Sequence, residues 1–178
     1  MTAVDPLRVL ILEDQLPDAD LVRHEVLRAW PAAVFHRADT RDAFMAGLLE
    51  FRPDIILSDH SLPLYTGSEA LALTQSLSPE TPFIMVTGSL DEETAVECIK
   101  SGAADYVLKA NLLRLVPAVR RALELARARR AAEAEQSRLR AEAERYRQLI
   151  DRMDDAERLR LEELLQVRLA YGDASEAR

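Results

Sequence analysis

Along the first 120 residues, short apolar runs alternate with segments whose apolar residues recur every three to four positions. The runs are "RVLILE" (8–13), "AVFHRA" (33–38), "DIILSD" (54–59), "FIMVTG" (83–88) and "DYVLK" (105–109). Most lack the polar alternation of a half-exposed strand, so they predict strands covered on both faces, as in a parallel sheet. Helical spacing fills 17–29, 40–51, 68–77 and 91–101, with Pro31, Pro53, Pro79, Pro82 and Gly102 as punctuation. Five strand–helix units with short connections predict an open, doubly wound α/β sheet. Such sheets collect their chemistry just beyond the carboxyl ends of the strands.

Near residue 118 the pattern changes in kind. From there to about 171 Gly and Pro are absent, and Leu125, Ala132, Leu139, Tyr146 and Met153 recur every seven residues. Arg129, Gln136, Ala143 and Ile150 each follow by four, which makes an a/d heptad pattern. It is polar or alanine-sized between 126 and 138 and apolar from 139 to 153. Beyond Met153 the register falls on Glu157 and Arg160, so the seam shifts or ends, although Leu159, Leu161, Leu164, Leu165, Val167 and Leu169 keep an apolar face. A lone helix would leave this stripe in water. The expectation is a homodimer through a parallel coiled coil or helical bundle, with Leu125, Ala132, Leu139, Ala143, Tyr146, Ile150 and Met153 at the contact. The alternative is a helix folded back on its own domain. The chain then divides into an α/β domain (1–124), a helical coiled-coil extension continuous with the fifth helix (125–171) and a disordered tail (172–178), which follows the break at Gly172.

Charge sharpens this division. The 178 residues carry a net charge of −8. Residues 1–119 hold nine Lys and Arg against eighteen Asp and Glu, a net of −9; residues 120–178 hold fourteen against thirteen, a net of +1. The acidic front argues against a nucleic-acid partner, and in the helix Glu124, Glu133, Glu135, Glu142 and Glu144 offset the arginines. No DNA-reading module fits the remaining residues, and no Gly-rich loop marks a nucleotide site. No apolar run approaches the roughly 18 residues that span a bilayer. The start "MTAVDPLRVL" lacks a signal-peptide pattern, so a cytoplasmic protein without membrane insertion is expected. Cys98, the single cysteine, reads as a small buried helix residue, and His24 and His36 read as surface or half-buried.

The strand ends carry the candidate chemistry. Strand one ends in Glu13-Asp14, strand three in Asp59, strand four in Thr87 and strand five in Lys109. Carboxylates a few ångströms apart repel by roughly 4 kcal/mol per pair at an effective dielectric of 20, so they protonate or share a cation. With only oxygen donors and no His or Cys, the set suits a hard ion such as Mg²⁺. A carboxylate beside Mg²⁺ can attack phosphorus and form an aspartyl phosphate. Asp59, alone at the end of the central strand, is the nucleophile candidate. Asp14 would ligate the metal directly, Glu13 directly or through a water, and the backbone carbonyl of Ser61 would add an oxygen. Lys109 brings positive charge to phosphate oxygens and Thr87 a hydroxyl donor, with Gly88 leaving space above.

The acid pair in "LED", the segment "DIILSDHSLPLYTG", "MVTG" and "GAADYVLK" together resemble a receiver domain of a two-component response regulator, over roughly residues 6–124. The resemblance implies a flavodoxin-like doubly wound (βα)5 parallel five-stranded sheet. It implies phosphate transfer from a sensor histidine kinase to Asp59, with Mg²⁺ on Asp14, Asp59 and the Ser61 carbonyl. It makes Thr87 and Tyr106 switch residues that alter the face built from helix four, strand five and helix five. Such a chain is not an enzyme beyond its own phosphorylation and dephosphorylation. With a helical extension in place of a DNA-binding or catalytic output domain, it would signal through protein contacts and helical dimerisation. The segment "AEAERYRQLIDRM" also resembles the helix leading into a PAS sensor domain.

Two positions depart from the family pattern. "KAN" stands where receivers usually have Lys-Pro, and a cis bond after Lys109 would cost about 2.5–4 kcal/mol without proline, so either this loop differs or it stores strain. Helix five is expected to begin near 114–116, with Pro117 in its first turn. His60-Ser61 after the acceptor bears on phosphate lifetime without indicating direction. The competing function is a non-phosphorylated pseudo-receiver acting as a dimerisation or scaffold module.

Overall fold

The structure is a computed structural model that describes residues 5–88, 92–154, 156–157, 159–161 and 163–164. Leu165, Val167, Leu169, the 172–178 tail and the first residue of the predicted fourth helix lie outside the described residues. The chain forms two compact units, Met1–Arg130 and Ala131–Arg178.

In the first unit five strands, β1 (Arg8–Leu12), β2 (Val34–Ala38), β3 (Ile55–Ser58), β4 (Phe83–Thr87) and β5 (Asp105–Leu108), make one all-parallel sheet in the order β2-β1-β3-β4-β5. The helices are α1 (Leu16–Ala29), α2 (Arg41–Ala46, continued by a π-helical turn Gly47–Phe51), α3 (Gly67–Leu77), α4 (Glu92–Lys100) and α5 (Leu115–Asp151). This is the doubly wound fold that the apolar pattern predicts. Alternation along the strands explains the double burial, because successive side chains point to opposite faces. Val9, Ile11, Ile55, Leu57, Ile84, Val86 and Val107 pack with Val22 and Val26 of α1 and Leu115, Val119 and Leu123 of α5. Leu10, Leu12, Ile56, Phe83 and Met85 pack instead with Phe44 of α2, Leu71 of α3 and Cys98 of α4. Cys98 is thus buried, as its sequence context implies, and burial pushes its thiol pKa up. The edge strand β2, "VFHRA", leaves more of its length to solvent, which accounts for His36 and Arg37 within it. His24 is exposed and His36 half-buried, stacked on Phe51.

Local signals set the turns. Thr66 caps α3 by accepting from the Glu69 N–H at 3.2 Å, while the Glu69 carboxylate accepts from the Thr66 N–H at 2.8 Å. Gly67 is required by a close approach, since a Cβ there would sit 2.6 Å from both the Asp59 carbonyl oxygen and the Met85 sulfur. After β5 the chain takes a 3-10 turn over Lys109–Arg114, with Asn111 outside helical geometry at φ −137° and ψ 55°. The Lys109–Ala110 bond is trans, so the loop differs from the proline form, and α5 starts at Leu115 with Pro117 in its first turn.

The body's contacts continue past residue 124: Ala126 is buried, and Arg129 pairs with Glu80 at 3.1 Å. In the second unit every described residue from Ala131 to Arg152 is exposed, including Ala132, Leu139, Ala143, Tyr146 and Ile150, while Met153 is partly buried. Leu159, Leu161 and Leu164 are also exposed. No helix among the described residues is long and apolar enough to cross a membrane.

Candidate functional site

Because all five strands are parallel, their carboxyl ends share one rim, and β3 lies at its centre between β1 and β4. The last residues of the predicted strands fall just outside the ladders. Glu13 and Asp14 follow β1, Asp59 follows β3, and Lys109 follows β5. Their backbones are still fixed: Asp59 N–H donates to the Leu12 carbonyl at 2.8 Å and Glu13 N–H to the Ala38 carbonyl at 2.9 Å. Arg37 donates to the Glu13 carbonyl at 2.7 Å and pairs with Asp39 at 2.9 Å, which pins the acid-pair turn to β2.

The centre of the site is the Lys109 ammonium. Its Nζ lies 2.6 Å from Glu13 Oε2, 2.6 Å from Asp18 Oδ2 and 2.8 Å from Asp59 Oδ2. Asp59 Oδ1 accepts from the His60 N–H at 2.6 Å and, more weakly, from the Ser61 N–H at 3.4 Å. Glu13 is buried, and its other oxygen accepts from the Gln15 N–H at 3.1 Å. Burial raises the Glu13 pKa against the lowering effect of Lys109 and of the Gln15 N–H. Burial works against the Lys109 ammonium too, but its bonds to Asp18, Asp59 and Glu13 outweigh that and hold its pKa above the usual lysine range. Lys109 is thus a cation shared by Glu13, Asp18 and Asp59.

The other candidates lie at varying distance from this centre. Thr87, buried, ends β4 in register with Leu108. Ser61, two residues after Asp59, is exposed and bridges to Thr66. Asp14 turns aside, its Oδ2 accepting from the Gln15 side chain at 2.7 Å. Tyr106 lies mid-strand in β5, partly buried against the core layer of α2, α3 and α4, and it lines a groove with Ala95, Val96, Ile99 and Lys100. Leu125 is exposed on α5, within the first unit.

Among the described residues no three carboxylate, His or Cys groups converge in a metal-holding arrangement. The donor chemistry nevertheless fits a hard divalent cation. Glu13, Asp14 and Asp59 offer only oxygens, and the carboxylates around Lys109 outnumber its single positive charge. Asp18 is the site residue that the strand-end rule does not reach, because it belongs to the first turn of α1. The available signal was an acid four residues after Asp14, in a helix that starts directly above the same rim.

The family model for the response regulator receiver domain matches residues 9–120. The regulatory protein AtoC of Escherichia coli (strain K12) is 35% identical over 128 residues, 70% of this chain and 26% of AtoC. An uncharacterized transcriptional regulatory protein of Bacillus subtilis, YxjL, is 30% identical over 119 residues, 66% of this chain and 55% of that protein. The chain thus spans about a quarter of one relative and about half of the other. Among solved structures, a CheY-like receiver domain protein from Methanospirillum hungatei JF-1 is 25% identical with a TM-score of 0.63, covering 70% of this chain and 99% of that one. A fusion carrying the yeast Spc42 trimeric coiled coil, residues 181–211, is 26% identical with a TM-score of 0.66, covering 84% and 97%.

Proposed function

This chain belongs to the response regulator receiver family, and we propose on that premise that it is the phosphoryl-accepting switch of a two-component or phosphorelay pathway. Asp59 is the acceptor and a sensor histidine kinase the donor. One Asp59 carboxylate oxygen attacks the phosphorus of the kinase's phosphohistidine. The P–O bond forms as the P–N bond breaks, and the leaving imidazole keeps the electron pair and takes up a proton. Glu13, Asp14, Asp59 and the Ser61 backbone carbonyl would hold Mg²⁺, which when bound neutralises charge on the transferring phosphoryl oxygens. Lys109 donates to the same oxygens from a position already fixed on Asp59, and the Thr87 hydroxyl supplies a second donor. Thr87 and Tyr106 then carry the change to the α4–β5–α5 face.

The observation that best supports this reading is the ammonium of Lys109 bonded to a strand-end aspartate that keeps 10% of its side chain open to solvent. Residues 1–124 act as the receiver and 125–171 as a helical extension that self-associates through Leu125, Ala132, Leu139, Ala143, Tyr146, Ile150 and Met153. The likeness to a coiled-coil fusion supports that reading, as do the exposed apolar side chains of the helix. The protein works in the cytoplasm, through protein contacts.

Acetyl phosphate with Mg²⁺ tests the acceptor. Intact-mass analysis is expected to show one added phosphoryl group on the wild type and none on Asp59→Asn. An unmodified wild type, with acetyl phosphate or with a cognate kinase, would leave the scaffold reading in its place.

A further inference from the structure

Asp18 has no part in the chemistry above, yet its Oδ2 lies 2.6 Å from Lys109 Nζ. A lysine ammonium has three N–H donors. Here Glu13, Asp18 and Asp59 take one each. The lysine is saturated before any phosphoryl group arrives. A phosphoryl group on Asp59 takes over the Asp59 bond and adds several strong acceptor oxygens, so any further bond from Lys109 to them comes only from Glu13 or Asp18.

The three partners differ in what release entails. The Glu13 side chain is 3% exposed and that of Asp59 10%, whereas Asp18 keeps 35% of its side chain in solvent. A released Glu13 stays out of water and relies on a bound cation such as Mg²⁺ to replace the ammonium, without which it is a costly unpaired charge. A released Asp18 is rehydrated where it stands and remains at the positive end of the α1 dipole, in the first turn. The half-exposed contact is the one that yields.

Resting on the reading of Asp59 as acceptor, we propose that Asp18 is a positioning residue that holds Lys109 in the resting state and is the partner released when Asp59 carries a phosphoryl group. The contact stabilises the unphosphorylated form, so it lowers affinity for the phosphoryl group. It also makes the first turn of α1 report on whether the acceptor is occupied.

Beryllofluoride with Mg²⁺, titrated into the full chain, tests this. Asp18→Ala is expected to tighten binding about two- to fivefold, the size of a partly exposed ion pair. Asp20→Asn, which removes the same charge from an exposed position on the same helix, is expected to leave affinity unchanged. In the wild type, the backbone amide resonances of Asp18 and Ala19 shift on binding, and in Asp18→Ala the Ala19 shift is reduced. Affinity in Asp18→Ala equal to or weaker than wild type overturns the inference, as does an equal tightening in Asp20→Asn. Wild type that binds normally under either of those outcomes leaves the acceptor reading standing. Wild type that fails to bind at all removes the acceptor reading and this inference together.

Discussion

The sheet-bearing unit and the helix beyond Arg130 use apolar residues in opposite ways. In the first, strands such as Phe83–Thr87 are buried along their whole length, and each residue pairs with a neighbouring strand or packs under a helix. In the second, Leu139, Tyr146, Leu149 and Ile150 are at least 40% exposed. The first unit has the ingredients of independent stability. The described residues of the second include ion pairs along the helix surface, such as Arg138 with Glu135 at 2.8 Å. Isolated helices held that way are marginal in water. Similar residue types therefore form a core in one region and stand exposed to solvent in the other.

The widest test of this contrast compares truncations across it. Phe44→Ala, at a fully buried side chain, is expected to cost about 3–5 kcal/mol in urea unfolding. Leu149→Ala, half exposed, is expected to stay within about 0.5 kcal/mol. Equal losses would erase the distinction. A smaller effect should separate association from folding. Leu139→Ala combined with Ile150→Ala is expected to weaken self-association about tenfold or more in sedimentation equilibrium. The urea midpoint of the sheet unit should not move with it.

The smallest effect probes a cap within the first unit. The Thr66 backbone N–H, and then its side chain, hold the Glu69 carboxyl below the usual glutamate range. A lowered folded pKa adds stability that is present above the unfolded value and lost as pH falls through the folded one. Glu69→Gln is thus expected to lower the melting temperature slightly at pH 7, with the difference from wild type closing as the pH drops below about 4. A gap that persists at acid pH would mean that the carboxylate charge is not what the cap uses.

Particular residues show what could be read from the chain. Each predicted strand overlies an observed one, and the trimming at its end falls on Glu13, Asp59 or Lys109 in three cases. Those residues look strand-like because they continue an apolar run, but they stand past the last ladder positions, where side chains are free to meet across strands. The capping box at Thr66–Glu69 has a T-x-x-E spacing, a local signal that the helical pattern read over 68–77 does not include. The placement of Asp14 was not legible. It lies beside the centre in sequence, yet its carboxylate turns to the Gln15 side chain. Asp18 illustrates the reverse case, remote from the strand ends in sequence and joined to Lys109 in space.

Periodicity and punctuation by themselves determined the five parallel strands, the rim that carries the acids and the long helix with its apolar stripe. They could do so because burial on two faces, and the 3.6-residue turn, leave a local imprint on the order of residues. Only the tertiary structure decided which acids the lysine holds. That choice depends on how far three separated segments reach across the rim, and on which three carboxylates come within reach of the three N–H donors of a single ammonium.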